Sequence, residues 1–162
     1  MERRDKQNYY LDLAEMVSQR GTCLRRLYGA VIVKNDEVIA TGYVGAPRGR
    51  KNCSDLKVCI RQKLNIPRGQ RYELCRSVHA EANAIISAPR DKMIGSSLYL
   101  VGIEVSDGSY IKNANSSSMF KRMILNAGVE HVYIRDTKDE YRVVSVTQWV
   151  EEDESLEGVL GY

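Results

Sequence analysis

The sequence predicts an α/β domain in which a mixed sheet carries helices on its faces. The first observation is the order of the hydrophobic patterns, because strand-like and helix-like segments alternate through the middle of the chain. The second is composition, since 162 residues with 43% hydrophobic and 28% charged side chains are typical of one globular domain. We expect this domain to span residues 1–152, followed by an acidic tail at residues 153–162.

The first half of the chain predicts a helix, a hairpin and a long loop. Apolar residues at helical spacing indicate a helix over Asn8–Arg20, which Gly21 ends. The apolar runs Gly29–Lys34 and Val38–Tyr43 flank a polar turn, which is typical of two hairpin strands. Residues 44–71 are rich in Gly, Pro, Lys and Arg and are therefore predicted to form a basic loop.

The second half alternates between helices and strands. A helix is predicted over Val78–Ala88, because the segment is rich in helix-forming residues and Pro89 follows it. Ser97–Ile103 predicts a strand, and Ser118–Ala127 predicts a helix that is closed by Gly128. Two more strands and a short helix complete the chain, at Glu130–Arg135, Arg142–Val146 and Thr147–Glu152.

Charge and hydropathy exclude several classes of function. A net charge of +3 is too small to indicate nucleic-acid binding, and the basic loop lacks the interleaved aromatic residues of a single-strand binding surface. The apolar runs are far shorter than the roughly 20 residues that span a bilayer, so no membrane association is expected. No apolar segment typical of a signal peptide follows the amino terminus. We therefore expect a cytoplasmic protein.

A His-Ala-Glu tripeptide at the start of a predicted helix is the main candidate for a catalytic site. A helix N-terminus favours negative charge, which suits a residue such as Glu81 that moves protons beside a metal-bound water. The alternative is a capping glutamate beside a packed His79. Zinc deaminases carry H-x-E followed by P-C-x-x-C, in which His and two Cys bind zinc. Here the matching place, at the start of the Ser118–Ala127 helix, contains no cysteine.

The chain from about Lys6 to Trp149 resembles the deoxycytidylate (dCMP) deaminases of the cytidine-deaminase-like superfamily. The resemblance rests on these segments: Arg20–Cys23 with Arg25 and Arg26, Gly29–Val33, Gly42–Gly49, Asn52–Cys53, Cys75–Ile85 and Lys121–Val129. It implies a three-layer α/β fold, with a five-stranded mixed sheet flanked by helices. It also implies a zinc-activated water that attacks the pyrimidine C4 and releases ammonia, which converts dCMP to dUMP.

The resemblance implies partners as well. The expected ligand is a pyrimidine deoxynucleotide. Members of the family form homo-oligomers, from dimers to hexamers, and many are controlled by a deoxynucleoside triphosphate effector.

Two positions of the catalytic metal site depart from the family. Ser117 and Phe120 occupy the positions of zinc-binding cysteines in active relatives. A serine hydroxyl is a poor zinc donor and a phenyl ring donates nothing, so His79 would be the remaining ligand and Glu81 would have no activated water to deprotonate. Three interpretations stay open: a natural protein that keeps a nucleotide-binding or assembly role, an inactivated variant, or an active site that recruits another donor such as Cys75.

Four cysteines remain elsewhere in the chain: Cys23, Cys53, Cys59 and Cys75. In a cytosolic protein, four thiols suggest a metal more than disulfides. Some dCMP deaminases carry a second, structural zinc, and the resemblance assigns a closed site of this kind to the four cysteines. The alternative is four separate buried thiols, since free cysteine is often buried.

Substrate contacts are predicted from side-chain chemistry and from the resemblance. Arginine pairs bidentately with phosphate, so Arg25, Arg26 and Arg48 are candidate phosphate ligands; the alternative is a solvated basic face balanced by the acidic tail. Tyr43 and the loop after it resemble the part of the family that contacts substrate or effector. Ala80 lies between His79 and Glu81 in the sequence, and we assign it to the substrate-binding residues. In many relatives an asparagine at the position of Val44 contacts the nucleotide, and valine cannot make that hydrogen bond.

Overall fold

The computed structural model describes residues 1–112, 114, 116 and 118–152. Ser117 and the predicted tail, residues 153–162, lie outside the described residues. The sheet has five strands: β1 (Arg26–Lys34), β2 (Glu37–Tyr43), β3 (Ser97–Glu104), β4 (His131–Arg135) and β5 (Tyr141–Ser145). Their order in space is β2-β1-β3-β4-β5. Only β3 and β4 are parallel, while β1 is antiparallel to β2 and β3, and β4 is antiparallel to β5. The predicted mixed sheet of five strands is confirmed.

The helices cover both faces of this sheet. They are α1 (Lys6–Ser18), α2 (Cys53–Leu56), α3 (Ile60–Lys63), α4 (Ala80–Ile86), α5 (Arg90–Met93), α6 (Ser118–Ala127) and α7 (Val146–Glu151), with a 3₁₀ turn at Tyr72–Leu74. Within the described part of the chain, no helix combines the length and apolar character that crossing a membrane requires.

Alternation along the strands divides the core into two halves, because successive side chains of a strand point to opposite faces. On one face, Val31 and Val33 of β1 pack with Tyr10, Leu11 and Ala14 of α1. On the other face, apolar residues of β1 and β3 pack with the helices that follow them: Ala30, Ile32, Leu98, Leu100, Ala80, Ala84 and Ile124. The result is the predicted three-layer arrangement, with α1 on one side and α4 and α6 on the other.

Several element boundaries differ from the sequence predictions for local reasons. Helix α1 begins at Lys6 because the Asp5 carboxylate accepts a hydrogen bond from the Asn8 amide at 3.1 Å and caps the helix. Strand β1 begins at Arg26, since Arg26 already pairs with Glu104 of β3. The predicted basic loop, residues 44–71, contains the short helices α2 and α3, which the Gly and Pro residues concealed.

Gly42 on β2 sets how closely α4 approaches the sheet. A Cβ atom at Gly42 would lie 2.3 Å from the Ala80 carbonyl oxygen and 2.4 Å from the Ala84 nitrogen. The absence of a side chain therefore allows the backbone of α4 to lie directly on β2. This contact positions the amino-terminal end of α4, where the candidate catalytic residues lie.

Candidate functional site

A cavity of about 130 Å³ lies at the amino-terminal end of α4. Its wall combines the segment leading into β1, the loop of residues 57–75, the start of α4 and one residue of α6. The residues on this wall that the sequence had singled out are Cys23, Arg25, Arg26, Cys59, Cys75, His79, Ala80, Glu81 and Phe120. Val44, which replaces the family asparagine, also lines the cavity. The fold thus gathers residues that are spread over about 100 positions of the sequence.

His79 is the N-cap residue of α4 and lies between two aromatic rings. Its imidazole stacks on the phenyl ring of Phe120, with ring centroids 4.5 Å apart and planes inclined by 27°. The Tyr72 ring makes an edge-type contact with the same imidazole, with centroids 5.6 Å apart and planes inclined by 83°. Burial and, secondly, the positive charge of Arg61 lower the pKa of His79 to about 4, so the imidazole is neutral at pH 7.

The described residues do not fit a catalytic zinc at His79. Zinc is held by thiolate, imidazole or carboxylate groups, usually in a tetrahedral shell. The side chain stacked on His79 is a hydrocarbon ring that is 6% exposed, and it occupies space beside the only imidazole of the cavity. Among the residues that the structure describes, no three or more His, Cys, Asp or Glu side chains are arranged to hold a metal ion.

Glu81 lies in the first turn of α4 and is 5% exposed. Burial raises the pKa of its carboxyl group, while its own backbone amide and the Ser116 hydroxyl oppose the shift through hydrogen bonds. Burial and, secondly, the nearby Glu81 charge raise the pKa of the Tyr28 phenol to about 12. The carboxyl group is therefore held in an environment that favours its neutral form, which both donates and accepts hydrogen bonds.

Four arginines line the cavity, and the sequence singled out only two of them as site residues. Arg25 and Arg26 were predicted; Arg26 forms an ion pair with Glu104 at 3.2 Å. Arg61 and Arg68 come from the loop of residues 57–75 and were missed as ligand candidates. The sequence signal was the high density of basic residues in this loop, but it does not reveal which of them turn inward. Arg61 does so completely, since it is 5% exposed.

Tyr43 and Arg48 lie apart from the cavity, in a larger groove of about 890 Å³ on the outer side of β2 and α4. The guanidinium of Arg20 lies over the Tyr43 ring, 6.0 Å from its centroid. The Tyr43 carbonyl accepts a hydrogen bond from the Asn83 side chain at 2.8 Å, which ties this strand end to α4. Arg48 is therefore separated from the other two predicted phosphate ligands, Arg25 and Arg26.

The four cysteines are free thiols that neighbour one another. Cys23, Cys59 and Cys75 line the cavity, and Cys53 is buried at the start of α2. Burial raises the pKa of the Cys53 and Cys75 thiols, and the charges of the other cysteines raise both further. The Cys23 sulfur accepts a hydrogen bond from the Arg25 amide at 3.4 Å. The thiols thus form one group around the cavity, although they do not themselves assemble a metal site.

Comparison with known proteins identifies the family. Residues 4–134 match the family model of the cytidine and deoxycytidylate deaminase zinc-binding region, so the chain belongs to this family. The deoxycytidylate deaminase of Mycobacterium phage D29 is 40% identical over 105 residues, which are 62% of this chain and 80% of that protein. The deoxycytidylate deaminase of Schizosaccharomyces pombe is 36% identical over 86 residues, which are 53% of this chain and only 26% of that protein.

Solved structures agree with this assignment. The dCMP deaminase of cyanophage S-TIM5 in its apo form has a TM-score of 0.56 and 27% identity, over 83% of this chain and 85% of that chain. The same enzyme in complex with dCMP and dUMP also has a TM-score of 0.56, with 25% identity over 83% and 84% of the two chains. The family and the three-layer fold expected from the sequence are both confirmed.

Proposed function

We propose that this chain binds a pyrimidine deoxynucleotide in the cavity beside His79 and Glu81, and that the family reaction, hydrolytic deamination of dCMP to dUMP, is impaired in it. The stack of Phe120 on His79 carries this proposal. In active deaminases, a bound zinc supplies the activated water for the reaction. Here Phe120 has no donor atom, and Ser117, outside the described residues, offers only a hydroxyl.

The remaining wall of the cavity supports nucleotide binding. The buried Glu81 carboxyl group, whose pKa is raised by burial, suits a hydrogen bond to a pyrimidine ring, and the small side chain of Ala80 lines the cavity beside it. Arg25 and Arg26 bring positive charge to the same space. The structurally similar cyanophage enzyme is known in complex with dCMP and dUMP, which favours the same ligand class here.

We also propose that Cys23, Cys53, Cys59 and Cys75 bind a structural zinc, which would have to draw the four thiols together, since among the described residues they are not arranged as a metal site. The donor set is chemically suitable, because four thiolates form a closed tetrahedral shell. The charges of nearby cysteines contribute to the raised pKa of Cys53 and of Cys75, which places these thiols near one another and supports a shared site. Such a zinc would fix the loop of residues 57–75, since Cys59 and Cys75 lie near its two ends.

Assembly, regulation and location follow from the family as further predictions. We expect a homo-oligomer in the cytoplasm and a deoxynucleoside triphosphate effector. The groove that contains Tyr43 and Arg48 is within the usual size range of ligand sites, about 300–1,000 Å³, and supports a second binding place. A purely structural role in an oligomer is the alternative if no nucleotide binds.

The test combines calorimetric titration with an ammonia-release assay. Both measurements use dCMP as the ligand, and the phage D29 enzyme is the positive control. We expect the chain to bind dCMP while releasing no ammonia under conditions in which the phage enzyme turns over. Ammonia release at a rate comparable with the phage enzyme would show that deamination is intact. Absence of any pyrimidine nucleotide binding would refute the binding proposal.

A further inference from the structure

The loop of residues 57–75 forms one wall of the cavity but has little anchorage in the core. Its apolar side chains Val58 and Leu64 are exposed, so they do not hold it against the sheet. The amides of Ile66 and Cys75 donate hydrogen bonds to carbonyl oxygens of the loop itself, both at 2.9 Å. These hydrogen bonds give the loop an internal shape without fixing it to the rest of the fold.

The buried Arg61 ties this loop together from within. Its Nη2 atom donates hydrogen bonds to the carbonyl oxygens of Pro67 and Gln70, both at 2.9 Å, and Nε donates to the Gln70 carbonyl at 3.2 Å. The guanidinium also lies over the Tyr72 ring, 4.1 Å from its centroid, which is an attractive cation–π distance. The turn of residues 67–70 and the Tyr72 ring are therefore joined through one side chain.

Tyr72 connects this unit to the two helices beside the cavity. Its ring contacts the His79 imidazole in the edge-type geometry described above, and that imidazole stacks on Phe120 of α6. Aromatic pairs prefer edge-to-face or stacked arrangements with centroids about 4.5–7 Å apart, and both contacts are of this kind. One cation and three rings are thus connected in series from the loop to α4 and on to α6.

The far end of the series lies on a fixed framework. Phe120 is itself buried, and Ile124, one turn later on α6, is fully buried in the core cluster against the sheet. His79 is the N-cap residue of α4, whose Ala80 and Ala84 belong to the same cluster. The series therefore leads from two helices that the core holds to a loop that the core does not hold.

We propose that Phe120 is a positioning residue that holds the loop of residues 57–75 onto α4 and α6 through the rings of His79 and Tyr72. At a position where the sequence predicts a zinc ligand, the chain has an aromatic cross-link instead, and the described residues there do not fit the metal. Neighbouring contacts of the series share a ring, so the effects of removing its members are not additive. The proposal concerns the order of the loop and does not depend on nucleotide binding.

The experiment measures native-state hydrogen exchange at the loop amides of Ile66 and Cys75. The parent chain is compared with Phe120→Leu, with Tyr72→Leu and with the double variant, because exchange of a hydrogen-bonded amide reports the population of locally open forms. Each single variant should exchange these amides about tenfold faster, which is the size of one aromatic contact. The double variant should also exchange about tenfold faster, rather than about a hundredfold, since both substitutions interrupt the same series.

Two control variants separate the series from general damage to the fold. Ile124→Val shortens a buried side chain of α6 outside the series, and it should leave the exchange of both loop amides within about twofold of the parent rate. Tyr72→Phe keeps the ring and should keep the slow exchange. All variants are compared at equal zinc content, so that the cysteine site is the same in each, and thermal unfolding verifies that each is folded.

Three results would overturn the proposal. Unchanged exchange of the loop amides in Phe120→Leu would show that the series does not extend to α6. An acceleration in the double variant equal to the product of the two single accelerations would show that the two rings act independently. Exchange in Tyr72→Phe as fast as in Tyr72→Leu would show that the ring contacts are not what holds the loop. Failure of dCMP to bind would bear only on the proposed function.

Discussion

Glu81 and His79, two residues apart at the start of α4, are both held toward their neutral forms by burial. Burial raises the pKa of the Glu81 carboxyl group and lowers that of the His79 imidazole to about 4. Desolvation disfavours the charged form of either group, which explains the opposite directions of the two shifts. The candidate catalytic pair is thus buried, and its His79 ring stacks on Phe120.

The first prediction concerns stability against pH. Because the pKa of His79 is lower in the folded state, the unfolded state binds more protons between about pH 6.5 and 4, and stability falls as the pH falls through this range. The loss amounts to at most about 3 kcal/mol for a shift of this size. Glu81 acts in the other direction: its contribution is fully present below the unfolded pKa and is lost as the pH rises through the raised folded pKa.

Single substitutions separate the two contributions. In urea unfolding at a series of pH values, His79→Gln should reduce the loss of stability on acidification, and Glu81→Gln should reduce the loss toward alkaline pH. If both variants keep the pH profile of the parent chain, neither group titrates differently in the folded state. The pH dependence would then come from other groups.

The second prediction concerns restoration of the catalytic metal site. Changing Ser117→Cys and Phe120→Cys together should add one zinc ion per chain and start ammonia release from dCMP, because His79 and two thiolates are the ligand set of the zinc deaminases. Either change alone should do little. Zinc content is measured by elemental analysis. A double variant that binds the additional zinc but deaminates no pyrimidine nucleotide would show that the assigned reaction is wrong.

The third prediction compares Glu81→Gln in two backgrounds. In the double cysteine variant it should abolish turnover, since a general base positioned for proton transfer is lost. In the chain as it stands, dCMP binding should weaken only modestly, because the glutamine side chain still donates and accepts hydrogen bonds. A basal deaminase rate in the present chain that Glu81→Gln removes would contradict the proposed loss of activity.

The fourth prediction concerns the thiols. Purified chain should contain about one zinc ion, and Cys53→Ser should lose it and unfold at a lower temperature, because structural zinc contributes directly to folding. Val58→Ser, at an exposed position on the same loop, is the matched control and should keep both metal and stability. Zinc retained by Cys53→Ser, or a metal-free parent chain of unchanged stability, would rule out the shared site.

The fifth prediction concerns the approach of α4 to the sheet. Gly42→Ala should destabilise the fold by about 1–3 kcal/mol and weaken ligand binding, because the new Cβ would collide with the α4 backbone at Ala80 and Ala84. Gly45→Ala is the matched control, since its nearest neighbour would be the Thr22 hydroxyl at 3.5 Å, an ordinary contact. Equal unfolding free energies for the two variants would mean that α4 moves away at little cost.

The sequence alone determined the five strands and the longer helices, together with the residue types at the start of α4. Continuous apolar runs at Ala30–Val33 and Leu98–Val101 predict strands with two buried faces, and the helical pattern before Gly21 and Gly128 predicts helices that cover them. These signals are local, because each depends on side chains a few positions apart. The absence of cysteine at Ser117 and Phe120 is also readable from the chain, and the resemblance to the family predicts that these are the positions of two metal ligands.

Only the tertiary structure decided which side chains share the cavity. Phe120 reaches His79 because α6 and α4 lie on the same face of the sheet, and no local pattern specifies that ring contact. Arg48 and Arg68 look alike in sequence, yet one lies in the outer groove and the other on the cavity wall. The buried Arg61 donates hydrogen bonds to the carbonyl oxygens of Pro67 and Gln70, which lie on either side of Arg68 in the chain. A buried guanidinium depends on carbonyl oxygens several residues away that become available only when the loop is folded, so composition cannot reveal it.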